Sequence, residues 1–552
     1  MILNDHKRLG YGLALLAIML GAAFFRFEDL GRQAYWMDEG YTVNAVISGM
    51  QNGTKNFSEI LDSGRTYFCP IYCAPTKLIV KACEVLDFAS QRSNNNVHTS
   101  NAVGNDHAAV GAVPFRLLSA FAGLLVVGLF ALIAKTTFKD DRIAILTAFF
   151  TAFSYWQTAW SRQARWYTLY DLFFWSALLF AYLAASKAQR AARYLSLVAL
   201  ALASAALATL THSLGYGLFV VIAAYLLLSP LLDRGEGRVR PFINPKKKVM
   251  FLAVIIAAIF ALEAATGFRF SRALIAKVSF HYELPYYLNF YLRNYWFLII
   301  LSLYGYFNAP KEQQKIYRLV FLPMIGYLLA LGLLTDIVHY RYLFAPISGL
   351  LITGAAGAVS AVASIAKKFI SRFGTTRGNI LIAVCYALLA ACYFFSGEGM
   401  IVPKTFYALE SDSAKDLDRP YWGYTPQPNF NKAYDHIKTN LKPDDIVIAS
   451  HPQFTKIFLD QPGYWIRYDY LGLDKIPDAT KNNREYYVGA QTINNVQELR
   501  ALMSNHHGFI VYDFMSQDGR IDTEILNYIH DNAKLVYSDI VNDYSKIWVY
   551  KF

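Results

Sequence analysis

The chain contains many apolar runs that are long enough to cross a membrane. The hydrocarbon core of a bilayer is about 30 Å thick and needs roughly 20 apolar residues in a helix. Reading along the 552 residues gives about eleven such runs. They lie near residues 9–27, 113–134, 142–160, 167–186, 193–211, 213–230, 249–265, 293–308, 318–335, 342–365 and 379–396. Only 17% of the residues are charged, whereas soluble domains have about 25%. The pattern predicts a polytopic α-helical membrane protein.

Basic residues between these runs predict which side faces the cytoplasm. Four segments are rich in Lys and Arg, at 186–193, 231–248, 310–318 and 367–377. With alternating spans, all four lie on the same side as the N-terminus, and cytoplasmic loops carry such an excess. The first run is interpreted as an uncleaved signal anchor. We therefore expect an integral plasma (inner) membrane protein with a cytoplasmic N-terminus and an exoplasmic, or periplasmic, C-terminus.

The net charge of +12 is explained by the same basic segments and does not indicate binding to nucleic acid. Cytoplasmic Lys and Arg residues alone make polytopic proteins basic. A nucleic-acid interface would need a basic cluster interleaved with stacking aromatic residues in a soluble domain, and the sequence has no such cluster. We expect membrane lipids, rather than nucleic acid, to surround the chain.

The topology divides the chain into two parts. Residues 1–396 form the transmembrane part, in which 28–112 is the first long exoplasmic loop. Within that loop, 67–88 has apolar residues at near-helical spacing, but prolines and lysines interrupt it, so we expect a helix lying at the membrane interface. Residues 397–552 alternate strand-like and helix-like patterns, which predicts a C-terminal exoplasmic α/β domain. That domain has no glycine-rich phosphate loop and no nucleophile elbow, so we expect it to shape acceptor access or partner contacts.

Charged residues near the exoplasmic helix ends indicate the chemistry. Asp38 and Glu39 follow the first span, and a carboxylate in a partly dry site can take the proton of an acceptor hydroxyl. Arginine stays charged and binds phosphate bidentately. Because nucleotide sugars and ATP are cytoplasmic, a reaction outside needs a donor that carries its own activation. A polyprenyl phosphate sugar meets this need, with the lipid phosphate as the leaving group.

The candidate residues form three groups, and each has a plainer structural explanation. The predicted catalytic residues are Asp38 and Glu39, which could instead form a solvated acidic turn. The residues predicted to bind the donor lipid phosphate are Arg341, Arg165, Arg162, Lys77, Lys81, Tyr340 and Tyr342. The arginines could instead reach lipid headgroups. The possible substrate contacts are Tyr41, Tyr72, Arg116 and His212. No cofactor is required, a divalent cation is possible, and no metal ligands are assigned.

Several short motifs occur in an order that is found in known enzymes. "WMDEGYTVNAV" at 36–46 is followed by "CPIYCAPTKLIVKA" at 69–82 and "VPFRLLSAFAGLLVVGLFALIAK" at 113–135. "WSRQARWYTLYDLFF" at 160–174 and "HYRYLFAPISGLL" at 339–351 come later. Over roughly residues 8–365, the chain resembles the GT-C fold membrane glycosyltransferases, in particular the superfamily of protein O-mannosyltransferases and lipid A aminoarabinose transferases.

The resemblance implies a glycosyltransferase that moves a sugar from a polyprenyl phosphate donor to a hydroxyl of a lipid, glycan or protein acceptor. It implies that Asp38 is the general base at the lipid–water boundary, and that Glu39 orients the acceptor or helps to bind a cation. Two departures from the family pattern stand out. Cys69 replaces a histidine of the family, which weakens the case for a metal ligand there, and residues 90–109 are an unusual insertion.

Three other classes of protein share part of this pattern. A transporter or lipid flippase would carry ionisable residues near the bilayer midplane and repeated halves with broken helices. A glycan ligase or polymerase would share the topology and an exoplasmic arginine. An oligosaccharyltransferase would carry a "WWDxG" sequence, which is absent. The carboxylates and arginines therefore favour the glycosyltransferase, with the ligase or polymerase and the transporter as alternatives.

Overall fold

The computed structural model describes most of the chain. It describes residues 2–31, 35, 37–51, 70–93, 112–187, 191–232, 257, 282–334, 340–396, 399, 430–466, 484–485, 488–517, 521–540 and 546–552. The predicted span 249–265 lies outside the described residues apart from Ala257. Cys69, the basic loop beyond Leu232 and residues 94–109 of the insertion also lie outside them.

The transmembrane part is built from helices throughout its described residues. They are α1 Ile2–Phe27, α2 Met37–Gln51, α3 Pro70–Ser93, α4 Val113–Phe138, α5 Asp141–Ala152, α6 Tyr155–Ser161, α7 Tyr167–Lys187, α8 Ala191–Thr211, α9 Gly215–Leu232, α10 Leu284–Asn308, α11 Lys311–Leu334, α12 Phe344–Ser348, α13 Leu350–Phe373 and α14 Thr375–Phe395. A 3₁₀ turn at Tyr340–Leu343 leads into α12. The region predicted to be an interfacial helix, 67–88, overlaps α3, which extends to Ser93.

Seven described helical segments are long and apolar enough to cross a membrane. They are Leu9–Phe27, Val113–Phe138, Tyr167–Ser186, Ala192–Thr211, Lys311–Leu334, Arg341–Phe373 and Thr375–Phe395. The chain is a polytopic helical membrane protein, as predicted. The expected count of about eleven is not confirmed among the described residues.

Two of the remaining predicted runs differ from a full span for local reasons. The run 142–160 is divided into α5 and α6, because the Ser154 hydroxyl accepts a hydrogen bond from the amide of Gln157 and starts a new helix. The helix α10 is long, but Asn and Arg residues lower its hydropathy.

The C-terminal part has a six-stranded sheet. Its strands are β1 Ile446–Ala449, β2 Tyr464–Ile466, β3 Gln491–Ile493, β4 Gly508–Asp513, β5 Lys534–Ile540 and β6 Lys546–Lys551, and its helices are α15 Phe430–Asn440, α16 Pro452–Leu459, α17 Val496–Asn505, α18 Phe514–Gln517 and α19 Thr523–Asn532. The strand order is β3-β2-β1-β4-β6-β5. The first four strands in this order pair in parallel, and the last two form an antiparallel hairpin at the end of the chain.

One hydrophobic core connects the start of the chain to this sheet. It contains Val43 and Val46 of α2, Phe115 of α4 and Val447 and Val511 of the sheet. Burying each such side chain contributes roughly 1.5–3 kcal/mol. The helix that begins with Asp38 and Glu39 is therefore packed between the membrane helices and the C-terminal region.

Candidate active site

Asp38 lies in the first turn of α2, where the helix dipole favours a negative charge. Its side chain is only 9% exposed. Arg341 donates a hydrogen bond to Oδ2 of Asp38 across 303 positions of sequence, and Nη2 of Arg165 lies 3.5 Å from the same oxygen. Nη1 of Arg165 also donates to the backbone carbonyl of Asp38 at 2.9 Å and to Oγ1 of Thr42 at 3.1 Å. The structure brings the predicted base and two predicted phosphate ligands together.

Glu39 points to a different partner. Arg116 donates two hydrogen bonds of 2.8 Å, from Nε to Oε1 and from Nη2 to Oε2. The backbone amide of Ala164 donates a third to Oε1 at 2.6 Å, and Nη1 of Arg116 donates to the carbonyl of Leu30 at 2.9 Å. The side chains of Glu39 and Arg116 are each 1% exposed. The carboxylate thus accepts three hydrogen bonds from the protein. The sequence analysis did not predict this pairing, because it placed Glu39 among the catalytic residues and Arg116 among the possible substrate contacts.

Arg162 stabilises the end of the first span. Its Nη1 donates to the carbonyls of Phe25 at 2.9 Å and Glu28 at 2.7 Å, and its Nη2 donates to that of Asp29 at 3.1 Å. The carbonyl of Phe25 is among the last of α1, which have no partner within the helix, and the carbonyls of Glu28 and Asp29 follow the end of that helix. The contacts attach the segment after α6 to the end of α1. Arg165, three residues further on, points to Asp38 instead.

Arg26 connects α1 to the end of α5, and the sequence analysis did not predict this role. It lies in α1 and is fully buried. It donates to the carbonyls of Thr151 and Ala152 at 3.3 and 3.2 Å, at the end of α5. A single arginine in an apolar run gives no signal of its partner, so only the fold reveals this role.

Asp171 joins α7 to α12, and it is the second residue that the predictions missed. Its carboxylate accepts hydrogen bonds from Nε2 of Gln157 at 2.8 Å and from Oγ of Ser348 at 2.9 Å. The indole Nε1 of Trp175 donates to the carbonyl of Ala345 at 2.9 Å. These bonds join α7 to α12, which directly follows the 3₁₀ turn that carries Arg341.

His212 lies beside the arginines in an aromatic environment. Its ring centroid is 5.9, 5.5 and 5.6 Å from those of Tyr167, Tyr170 and Tyr342. Its Nδ1 accepts a hydrogen bond from the amide of Leu214 at 3.2 Å, so a neutral ring carries its proton on Nε2. Burial, with the charges of Arg165 and Arg341, lowers the pKa of His212 to about 3. The imidazole is therefore a neutral donor at physiological pH.

Tyr72 supports the segment that carries Arg165. Its hydroxyl donates to the carbonyl of Phe115 and lies 2.9 Å from Oγ of Ser119. Ser119 in turn donates to the carbonyl of Arg165 at 2.7 Å. Burial raises the pKa of Tyr72, so the phenol stays protonated. Tyr72 is thus linked to the backbone of Arg165 through Ser119.

The remaining predicted residues lie around this centre. Lys77 is half-buried and Lys81 is exposed on the same side of α3, and partial burial with the charge of Lys81 lowers the pKa of Lys77. Tyr41 is half-buried on α2. The Arg341 guanidinium lies 5.5 Å from the ring centroid of Tyr342. The backbone of Tyr340 is in the 3₁₀ turn, whereas its side chain lies outside the described part of the structure.

The sequence permits a divalent cation but assigns no metal ligands. In the described ranges, no group of three His, Cys, Asp or Glu side chains is arranged to hold a metal ion. The divalent cation stays a prediction.

The fold can be compared with solved structures. ArnT from Cupriavidus metallidurans in the apo state is similar, with 12% identity and a TM-score of 0.58, and the alignment covers 99% of this chain and 98% of that one. The same protein bound to undecaprenyl phosphate has 13% identity and a TM-score of 0.57, with 98% of each chain covered. The archaeal oligosaccharyltransferase AglB from Archaeoglobus fulgidus has 13% identity and a TM-score of 0.49 over 93% of this chain and 70% of that one.

Comparisons of the sequence with family models and with curated proteins found no match. At identities of 12–13% the alignment with ArnT shows the fold. The chain has the GT-C fold of membrane glycosyltransferases, which the motifs around Asp38, Arg165 and Arg341 predicted.

Proposed function

We propose that the protein is a glycosyltransferase that moves a sugar from a polyprenyl phosphate donor to an acceptor hydroxyl at the exoplasmic face of the membrane. The observation that carries the proposal is Asp38, a buried carboxylate held by Arg341 and Arg165 at the start of a helix. A similar structure, ArnT, was solved with undecaprenyl phosphate. The acceptor class remains lipid, glycan or protein.

In the proposed reaction, Asp38 takes the proton of the acceptor hydroxyl. The acceptor oxygen attacks the anomeric carbon of the donor, and the bond from that carbon to the phosphate oxygen breaks. Polyprenyl phosphate leaves with the bonding electrons, and positive groups stabilise its charge. Arg341 and Arg165 are suited to this because a guanidinium binds phosphate bidentately.

Arg341 has a second consequence for the cycle. It forms an ion pair with Asp38. A donor phosphate competes for the same guanidinium and weakens this pair. Donor binding would therefore leave Asp38 more basic and ready for the acceptor.

Glu39 has a different proposed role from Asp38. Its two oxygens already accept three hydrogen bonds from Arg116 and Ala164. We assign it to holding α2 against the segment 162–166 rather than to the acceptor. A divalent cation stays part of the proposal without assigned ligands, and no step is derived through it.

We propose the orientation that the basic loops indicate, with the N-terminus in the cytoplasm and the C-terminal region outside. A reporter that is active only in the cytoplasm, fused after Phe552, should stay silent. The same reporter fused at Gly374, between α13 and α14 within the basic segment 367–377, is the control and should be active. An active reporter at Phe552 would reverse the orientation and place Asp38 on the cytoplasmic side.

The activity itself can be tested with the purified full chain in detergent. A polyprenyl phosphate donor with a radiolabelled sugar should lose its label to an acceptor and release polyprenyl phosphate. A diphosphate-linked oligosaccharide donor serves as the comparison, because a glycan ligase or polymerase would consume it instead. In proteoliposomes, labelled lipid that crosses the bilayer without bond cleavage would identify a transporter and contradict the proposal.

A further inference from the structure

The helix that carries Asp38 touches the C-terminal region on another side. The Asn44 side chain is 4% exposed. Its Nδ2 donates to the carbonyl of Gly40 at 2.9 Å, one turn earlier in α2, and to the carbonyl of Gln453 at 2.8 Å. Gln453 is the second residue of α16. One side chain therefore joins α2 to a helix more than 400 positions away in sequence.

Gly40 brings the two helices into close contact. A Cβ atom built at Gly40 would lie 2.8 Å from Cγ of Gln453 and 3.2 Å from the ring of Phe454. Phe454 is fully buried and stacks on Phe430 with a centroid distance of 4.1 Å. The ring has no room to withdraw, so only glycine permits this separation of α2 and α16.

The two contacts lie on different sides of α2. Residues four apart share one side of a helix, so Asp38 and Thr42 face Arg165, whereas Gly40 and Asn44 face α16. A shift or rotation of α2 away from α16 would move Asp38 relative to Arg165 and Arg341. The packing of the C-terminal region thus sets the position of the carboxylate.

We propose that Gly40, Asn44 and Gln453 are positioning residues for Asp38, through which the C-terminal region aligns the base with the acceptor and the phosphate-binding arginines. The inference rests on the proposed function. It gives the C-terminal region a role in the reaction that requires no reacting group from that region. A misplacement of about 1 Å can cost about 100-fold in rate.

The test uses Gly40→Ala in the full chain, with Gly128→Ala as the matched control. Both changes add one methyl group to a helix, but a Cβ at Gly128 meets nothing within 4 Å. We expect Gly40→Ala to lower kcat roughly 10- to 100-fold. The Kd for the donor should change less than about 2-fold, because Arg165 and Arg341 lie on the other side of α2. Gly128→Ala should keep the kcat of the wild type.

A second substitution distinguishes positioning from general damage. Gln453→Ala removes the Cγ atom that a Cβ at position 40 would meet, but keeps the carbonyl that Asn44 binds. The double variant Gly40→Ala/Gln453→Ala should recover part of the lost kcat. If Gly40→Ala does not fold, Asn44→Ala takes its place, with the same expected loss of kcat at constant donor affinity.

Several results would overturn the inference. They are an unchanged kcat in Gly40→Ala, an equal loss in Gly128→Ala, or no recovery in the double variant. If the wild type transfers no sugar, the proposed function fails instead. Amide hydrogen exchange then tests whether the C-terminal region holds α2 in place. Residues 37–51 should exchange faster in Gly40→Ala than in Gly128→Ala, and equal exchange would refute the inference.

Discussion

Replacing Asp38 with asparagine should abolish sugar transfer and leave the protein folded. The amide has nearly the same volume and still accepts a hydrogen bond from Arg341, but it cannot take a proton. Loss of a general base lowers a rate typically by about 10²- to 10⁴-fold. The measurement is transfer of radiolabelled sugar from a polyprenyl phosphate donor in detergent, with donor binding measured separately.

Measuring donor affinity in Asp38→Asn distinguishes loss of the base from loss of donor binding. In the wild type, the Asp38 carboxylate is paired with Arg341 and its Oδ2 lies 3.5 Å from Nη2 of Arg165. In the proposed mechanism, this carboxylate competes with the donor phosphate for Arg341. Removing its charge ends this competition, so the variant should bind the donor at least as tightly as the wild type.

Arg341→Ala is the control for Asp38→Asn. It should weaken donor binding and slow departure of the phosphate together. A fully active Asp38→Asn protein would disprove the proposed mechanism.

Replacing Glu39 with glutamine should act mainly on stability. The carboxylate accepts bonds from Nε and Nη2 of Arg116 and from the amide of Ala164. Glutamine has one acceptor oxygen, and its NH₂ group would face a donor. Because Arg116 is fully buried, it would keep its charge without a matching anion. Breaking a buried ion pair costs about 3–5 kcal/mol.

The expected result for Glu39→Gln is a large loss of thermal stability in detergent. Its transfer rate should lie between those of the wild type and Asp38→Asn, because a displaced α2 also displaces Asp38. Asp38→Asn is the matched control, since it makes the same carboxylate-to-amide change at the neighbouring residue. A Glu39→Gln protein that is as stable as the wild type but inactive would make Glu39 the base.

The membrane helices follow from the sequence where a local pattern is sufficient. A helix that faces lipid needs a continuous apolar surface, and runs such as 113–134 and 379–396 have it. The run 142–160 shows the limit of this reasoning. Ser154 hardly changes the mean hydropathy of the run, yet its hydroxyl caps α6 and divides the run into two helices. Capping depends on one atom, which a hydropathy average does not detect.

The sequence by itself determined that the chain crosses a membrane repeatedly, and it located Asp38, Arg165 and Arg341 as candidates. These conclusions need only composition, periodicity and short motifs, which are properties of neighbouring residues.

Only the tertiary structure decided which charges pair. It places Arg341 and Arg165 on Asp38, Arg116 on Glu39, and Arg162 on the end of α1. Adjacent carboxylates look equivalent in sequence, but successive residues of a helix point about 100° apart. Because both carboxylates are buried, each one pairs with the donors that the packed helices place beside it. This difference in partners distinguishes Asp38, the candidate base, from Glu39, which holds α2 in place.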